Sequence, residues 1–224
     1  MPKAPRIAVG GVVYHVFNRA NGRSVIFTTP EDYGAFENIL AQAVKRTPMR
    51  VLAYCLMPNH WHMVLWPIGD GDLSTFLGWL TLTHAVRWHA ARGTTGTGHL
   101  YQGRFKSFPV QTDRHFLALS RYVERNPLRA NLVPRAEQWR WGSLWRREFG
   151  SAEAKKLLTP WPVERPSDWV ECVNQPLTPA ETAAIQQSLR RGRPYGDLHY
   201  IEQTAALLRL ESTLRSRGRP RKTR

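Results

Sequence analysis

The sequence predicts an α+β fold, and three observations carry that expectation. Short β-branched and aromatic runs alternate with longer stretches whose apolar residues recur at helical spacing. Two apolar runs, Arg50 to Met57 and His60 to Trp66, are parted only by Pro58-Asn59, which reads as a β-hairpin. After Gly150 the texture changes: Pro160, Pro162, Pro166, Pro176 and Pro179 punctuate the chain. Residues 1–149 are therefore expected to form the main domain. Residues 150–224 are expected to be a Pro-rich linker, short helices and a basic tail.

Val12-Val13-Tyr14-His15-Val16-Phe17 is β-branched and aromatic, hence a first strand. Asn21-Gly22 is a turn signal, after which Ser24 to Phe27 is expected to continue extended. Thr29-Pro30-Glu31-Asp32 opens a helix, with Thr as N-cap, Pro in first position and acids in the first turn. Phe36, Ile39, Leu40 and Val44 carry that helix to about Arg46, before Pro48. In the second hairpin strand, alternation puts His60, His62, Val64 and Trp66 on one face, and Trp61, Met63 and Leu65 on the other. Leu73, Phe76, Leu77, Leu80, His84, Val86 and Trp88 predict a long helix ending near Arg92-Gly93. Tyr101 to Val110 mixes aromatic and basic residues and is expected to be extended. Asp113 caps a helix with Phe116, Leu119 and Val123 on its apolar side. Pro127 breaks that helix at Asn126. Trp139 to Ser143 is expected to pack back on the core. Thr178-Pro179 opens a helix to about Arg191, and Ile201 to Leu210 predicts another.

With 224 residues, 42% of them apolar, the chain can bury one core and carry a small appendage. Its formal charge of +15 favours a polyanionic partner, nucleic acid or an anionic membrane surface. Ten Lys or Arg against three Asp or Glu in residues 190–224 place about half of that excess in the last 35 residues. Nine Trp, seven Tyr and eight Phe are interleaved with the bases, and aromatic faces beside cations suit unstacked nucleobases. Two cysteines, Cys55 and Cys172, suggest neither a disulfide framework nor a cysteine zinc site. No signal-peptide core and no apolar run of transmembrane length is read, so a cytoplasmic protein is expected.

The chemistry gathers at two stretches. His60 and His62 share one strand face, and two neutral imidazoles there can hold a divalent cation, Mn²⁺, Mg²⁺ or Zn²⁺. An oxygen ligand as the third donor suits a hard, open-sited ion. Such an ion polarises a phosphate and orients in-line attack. Tyr122 and Asn126 lie four apart on a helix: the phenol is a candidate nucleophile, the amide a candidate ligand. A phenol is a weak acid and needs a local positive field to react. Arg121, Arg125 and Arg129 recur every four residues as a basic stripe. Each feature also has an ordinary reading. The histidines can be polar strand residues, Tyr122 a packing tyrosine, Asn126 the cap of the next turn, and the arginines a solvated face. His15, His84 and His115 are read as structural or surface residues.

Met57-Pro58-Asn59-His60-Trp61-His62, Tyr101-Gln102-Gly103-Arg104-Phe105-Lys106-Ser107 and Tyr122-Val123-Glu124-Arg125-Asn126-Pro127-Leu128-Arg129-Ala130 closely resemble the REP-associated tyrosine transposases. These belong to the single-tyrosine class of insertion-sequence transposases with a His-hydrophobic-His (HUH) motif. The resemblance spans roughly residues 10 to 147 and extends to Arg191-Gly192-Arg193-Pro194 and Arg217-Gly218-Arg219-Pro220-Arg221-Lys222. It implies an antiparallel sheet flanked by helices, of the ferredoxin or RRM-like kind used by HUH nucleases. It implies His60 and His62 as ligands of Mg²⁺ or Mn²⁺ and Tyr122 as nucleophile. Asn126 is suggested as third ligand, where related transposases carry Gln. The implied reaction cuts and rejoins single-stranded DNA beside palindromic hairpins, leaving a 5′-phosphotyrosine.

Arg104, Lys106, Arg121, Arg125, Arg129 and the basic tail are expected phosphate contacts. Base readout is assigned to the segment before the first strand and to bases stacked on aromatics. A self-contained monomer in the cytoplasm, at the nucleoid, is expected chiefly from the resemblance; the alternative is a tyrosine helix docked on a partner's histidines. Two other functions stay open: a non-catalytic hairpin DNA binder descended from a transposase, and a hydrolase that uses water with Tyr122 as bystander.

Overall fold

The computed structural model describes residues 8–215. Strand β1 (Val13–Arg19) leads through a 3-10 turn (Asn21–Arg23) to helix α1 (Pro30–Arg46). The hairpin β2 (Met49–Met57) and β3 (His60–Pro67) follows, then α2 (Asp72–Arg92), β4 (Lys106–Val110) and α3 (Arg114–Glu124). The four strands pair antiparallel in the order β2-β3-β1-β4. The βαββαβ succession in that order is the ferredoxin-like arrangement, so the expected α+β class holds.

Alternation along the strands loads both faces of the sheet. Tyr14, Val16, Tyr54, Leu56, Trp61, Met63 and Leu65 form one core with Phe36, Ile39 and Leu40 of α1 and Leu73, Phe76, Leu77 and Leu80 of α2. Val13, Cys55, Met57, Val64 and Phe108 form the other with Phe116, Leu119, Tyr122 and Val123 of α3. A bulge between Val51 and Ala53 turns consecutive residues Leu52 and Ala53 to the α3 side. The α1 start follows from its local chemistry: Asp32 accepts from the Thr28 and Thr29 N–H groups, and Pro30 has no N–H to leave unsatisfied.

Two expectations change, and one residue of the α2 pattern faces outward. Ser24 to Phe27 is not a strand; it loops over the hairpin turn, where Ile26 and Phe27 donate to the Pro58 carbonyl. Only Lys106–Val110 of the expected extended stretch joins the sheet, because residues 102–105 bend away after the Ala20–Tyr101 bridge. Val86 lies on the solvent side of α2, 59% exposed beside the equally open Leu82.

Beyond α3 the chain continues through α4 (Asn126–Arg129), α5 (Ser143–Phe149), α6 (Ala152–Lys155), α7 (Trp169–Asn174), α8 (Pro179–Arg191) and α9 (Leu198–Leu207). The 139–143 segment does pack back on the core. Leu56 N–H donates to the Trp141 carbonyl, Trp139 Nε1 to the Leu56 carbonyl, and Ser143 Oγ bridges Tyr54 N–H to the buried Glu124 carboxylate. Ile185 of α8 and Tyr195 enter the α3-side core, and Tyr195 exchanges backbone hydrogen bonds with the edge of β4. Helix α9 starts earlier than expected because Asp197 caps it through the Tyr200 N–H. Both cysteines are free thiols. Among the described residues no helix is long and apolar enough to cross a membrane.

Candidate active site

The period-2 geometry of β3 delivers His60 and His62 to the α3 side of the sheet, as expected. Arg19 faces His60 and Phe17 faces His62 across the β1–β3 ladder. The two imidazole centroids lie 5.1 Å apart. From the opposite wall, α3 presents Tyr122, whose ring stands edge-on to His62 at 6.0 Å between centroids. The two imidazoles and the phenol thus meet in one cleft of about 710 Å³ within a single chain. Arg104, Lys106 and Arg129 also line it.

Both candidate ligands are held neutral. Burial, with the charges of Arg19 and Arg129, pushes His60 down to about 4. Burial first, then the neighbouring histidines and the same arginines, pushes His62 well below the usual imidazole range. Each ring also has its Nδ1 engaged. His60 Nδ1 donates to Asn59 Oδ1 at 2.6 Å, and the Asn59 amide is oriented by its own bond to the Arg23 carbonyl. That arrangement leaves the His60 Nε2 lone pair for a ligand. His62 Nδ1 lies 3.0 Å from His15 Nε2. Two neutral imidazoles with free Nε2 atoms fit a divalent cation. Among the described residues no group of three His, Cys, Asp or Glu is placed to hold one, so the remaining donors would be oxygens of amide, water or phosphate. Imidazole nitrogens completed by such oxygens can serve a divalent cation.

Asn126 sits at the helix break. Its Nδ2 donates to the Tyr122 and Val123 carbonyls at 2.9 and 3.3 Å, filling in for the N–H that Pro127 lacks. Its Oδ1 accepts from Arg129 at 2.7 Å. To meet a cation, the amide oxygen would have to release or share Arg129. The guanidinium so anchored lies 4.7 Å over the Tyr122 ring.

The arginine stripe divides. Arg129 enters the cleft. Arg121 instead pairs with Glu181 of α8 at 2.7 Å, and Arg125 donates to the Val173 and Asn174 carbonyls at the end of α7. Neither lines the cleft. Arg104 and Lys106 reach it because the loop before β4 is tied to β1: Gln102 N–H donates to the Arg19 carbonyl and Asn18 Nδ2 to the Gly103 carbonyl. Lys106 Nζ stands 5.6 Å from the Phe17 ring centre. Residues 1–7, part of the segment assigned to base readout, and the basic tail from 216 lie outside the described residues.

Sequence reasoning missed several contributors, Arg19 of β1 among them. Leu189 and Arg190, from the far end of α8, line the same cleft; no local signal points there. Asn59 looked like a turn residue only. His15 reads in sequence as a structural or surface residue; the β1–β3 register puts it on the face of His62.

A family model described as IS200-like transposase matches residues 8–126. No curated protein matches the chain. Among solved structures, a REP-associated tyrosine transposase bound to a REP hairpin is similar at 17% identity and a TM-score of 0.55, over 80% of this chain and 99% of that one. A candidate transposase from Deinococcus radiodurans R1 is 19% identical over 55% of this chain and 96% of that one, with a TM-score of 0.39. The first of these shows that the fold is shared beyond the residues the family model matches.

Proposed function

This chain belongs to the IS200-like transposase family, and on that premise we propose that it cuts and rejoins single-stranded DNA beside hairpin repeats through a covalent phosphotyrosine at Tyr122. The observation that carries the proposal is the meeting of Tyr122, His60 and His62 in one cleft rimmed by Arg104, Lys106 and Arg129. The solved relative of the same fold is bound to a REP hairpin, which supports a hairpin as the DNA form.

His60 and His62 would hold Mg²⁺ or Mn²⁺ through their Nε2 atoms. When bound, the cation polarises the scissile phosphate and neutralises charge gathering on its oxygens. The chain's own residues supply the rest. Arg104, Lys106 and Arg129 seat the phosphate diester. The Tyr122 oxygen attacks phosphorus in line and loses its proton. The bond from phosphorus to the 3′-oxygen breaks, and that oxygen leaves as a 3′-hydroxyl after taking up a proton. The 5′-phosphate stays on Tyr122 as a diester, so a second 3′-hydroxyl can reverse the step and rejoin strands without ATP. Asn126, the expected third ligand, supports the site as drawn by holding Arg129 and the end of α3. Tyr122, His60 and His62 meet within one chain, which supports a self-contained monomer as the acting unit.

The test is a labelled single-stranded hairpin incubated with the full chain and Mn²⁺, then resolved on a denaturing gel. Wild type is expected to give a covalent protein–DNA band and Tyr122→Phe none. A band that survives Tyr122→Phe would sink the mechanism. Free 5′-phosphate without any adduct would favour water as the nucleophile. Binding without cleavage across hairpins of varied sequence would favour the holding role.

A further inference from the structure

The His15 side chain is fully buried in an apolar bed: its ring stacks on Phe108 at 4.8 Å and lies 5.9 Å from Phe17. An imidazole in such a place is costly unless it is hydrogen-bonded. Its partner is His62 Nδ1, at 3.0 Å; its own Nδ1 has none among the described residues. The contact is diagonal across β1 and β3, since His15 pairs with Val64 and His62 with Phe17. Whatever offsets the burial of this polar ring therefore runs through His62.

Between two neutral imidazole nitrogens there is room for one proton. If it sits on His15 Nε2, His62 must carry its own proton on Nε2, the nitrogen that a cation needs bare. If it sits on His62 Nδ1, Nε2 is a lone pair aimed away from His15. His15 then carries its proton on Nδ1, the nitrogen left without a partner. The neighbouring ligand shows the same design in simpler form, with His60 Nδ1 donating to the Asn59 amide oxygen.

We propose that His15 is a positioning residue for the metal site: it accepts the His62 Nδ1–H and so holds His62 with its Nε2 lone pair free for a divalent cation. This rests on the reading of His60 and His62 as ligands. It assigns an orienting hydrogen bond to a buried strand histidine, where such bonds usually end on a carboxylate, a carbonyl or water.

Nuclear magnetic resonance of the full chain with ¹⁵N-labelled histidine tests the proposal without reference to catalysis. In the metal-free chain, wild type should show His62 protonated on Nδ1, with coupling across the hydrogen bond to His15 Nε2. His62 protonated on Nε2 in that state overturns the proposal. Calorimetry with Mn²⁺ gives the second readout. His15→Phe, which keeps an aromatic ring and removes the acceptor, should weaken Mn²⁺ binding on the order of 10- to 100-fold. His15→Gln, which restores an acceptor near the Nε2 position, should recover most of the loss. Unchanged Mn²⁺ affinity in His15→Phe overturns the proposal. Should wild type itself bind no cation, the ligand reading fails and the proposal falls with it. If His15→Phe does not fold, the wild-type spectra decide alone.

Discussion

Asn126 carries a structural role at the same position where the sequence also suggests a ligand. Four residues after Tyr122, its amide was placed by spacing where a ligand would be. In the structure the amide is buried, with its nitrogen on two helix carbonyls and its oxygen on Arg129. Removing it strands two buried carbonyls and frees a guanidinium. Asn126→Ala should therefore lower stability by about 1–3 kcal/mol, read as a shift of the urea midpoint in protein kept in chelator. A residue that acted only as a metal ligand would leave the chelated protein's stability unchanged. His15 makes the converse point. It was legible as a strand residue, but its value depends on a ring 47 positions away in the chain, and only the β1–β3 register brings the two together.

At the scale of elements, the strands and the long helices follow from local pattern, since periods of 2 and 3.6 are written in neighbouring residues. The α8 boundaries were legible too, from Thr178-Pro179 and from Gly192, whose positive φ of 72° ends the helix. Where α8 docks was not. Glu181 accepts from Thr178 N–H and Oγ1 in the capping box and from Arg121 of α3, so one carboxylate both starts the helix and ties it down. Arg121 and Glu181 are partly exposed, so water screens the ion pair. Glu181→Ala should cost about 1 kcal/mol, mostly through the lost cap. Amide exchange should quicken in residues 179–191 while the buried turns of α3 stay protected. Because Leu189 and Arg190 line the cleft, the same variant should also slow formation of the DNA adduct. Equal exchange in α8 of variant and wild type would contradict this role for Glu181.

For the molecule as a whole, a charge of +15 predicts affinity that falls steeply with salt. The fold says which cations contribute at the cleft. Neutralising Arg104, Lys106 or Arg129 one at a time should each reduce the slope of log K against log salt by about 0.7 for a single-stranded ligand. Arg121→Gln and Arg125→Gln should leave the slope unchanged and act on stability instead; filter binding over a salt series distinguishes the two groups. In the sequence Arg121, Arg125 and Arg129 were one stripe at equal spacing. The Pro127 break separates them, sending Arg129 over Tyr122 and leaving the others to α8 and α7. The sequence by itself determined the α+β class, the strand face shared by His60 and His62, the helix that bears Tyr122, and the excess of positive charge. Each of these is a property of residues close together in the chain. Only the tertiary structure decided that the phenol meets the imidazoles within one chain, that His15 touches His62, that α8 completes the cleft, and which arginines line it. Those outcomes depend on strand register and helix docking, where contacts between distant segments set which side chains are left facing the cleft.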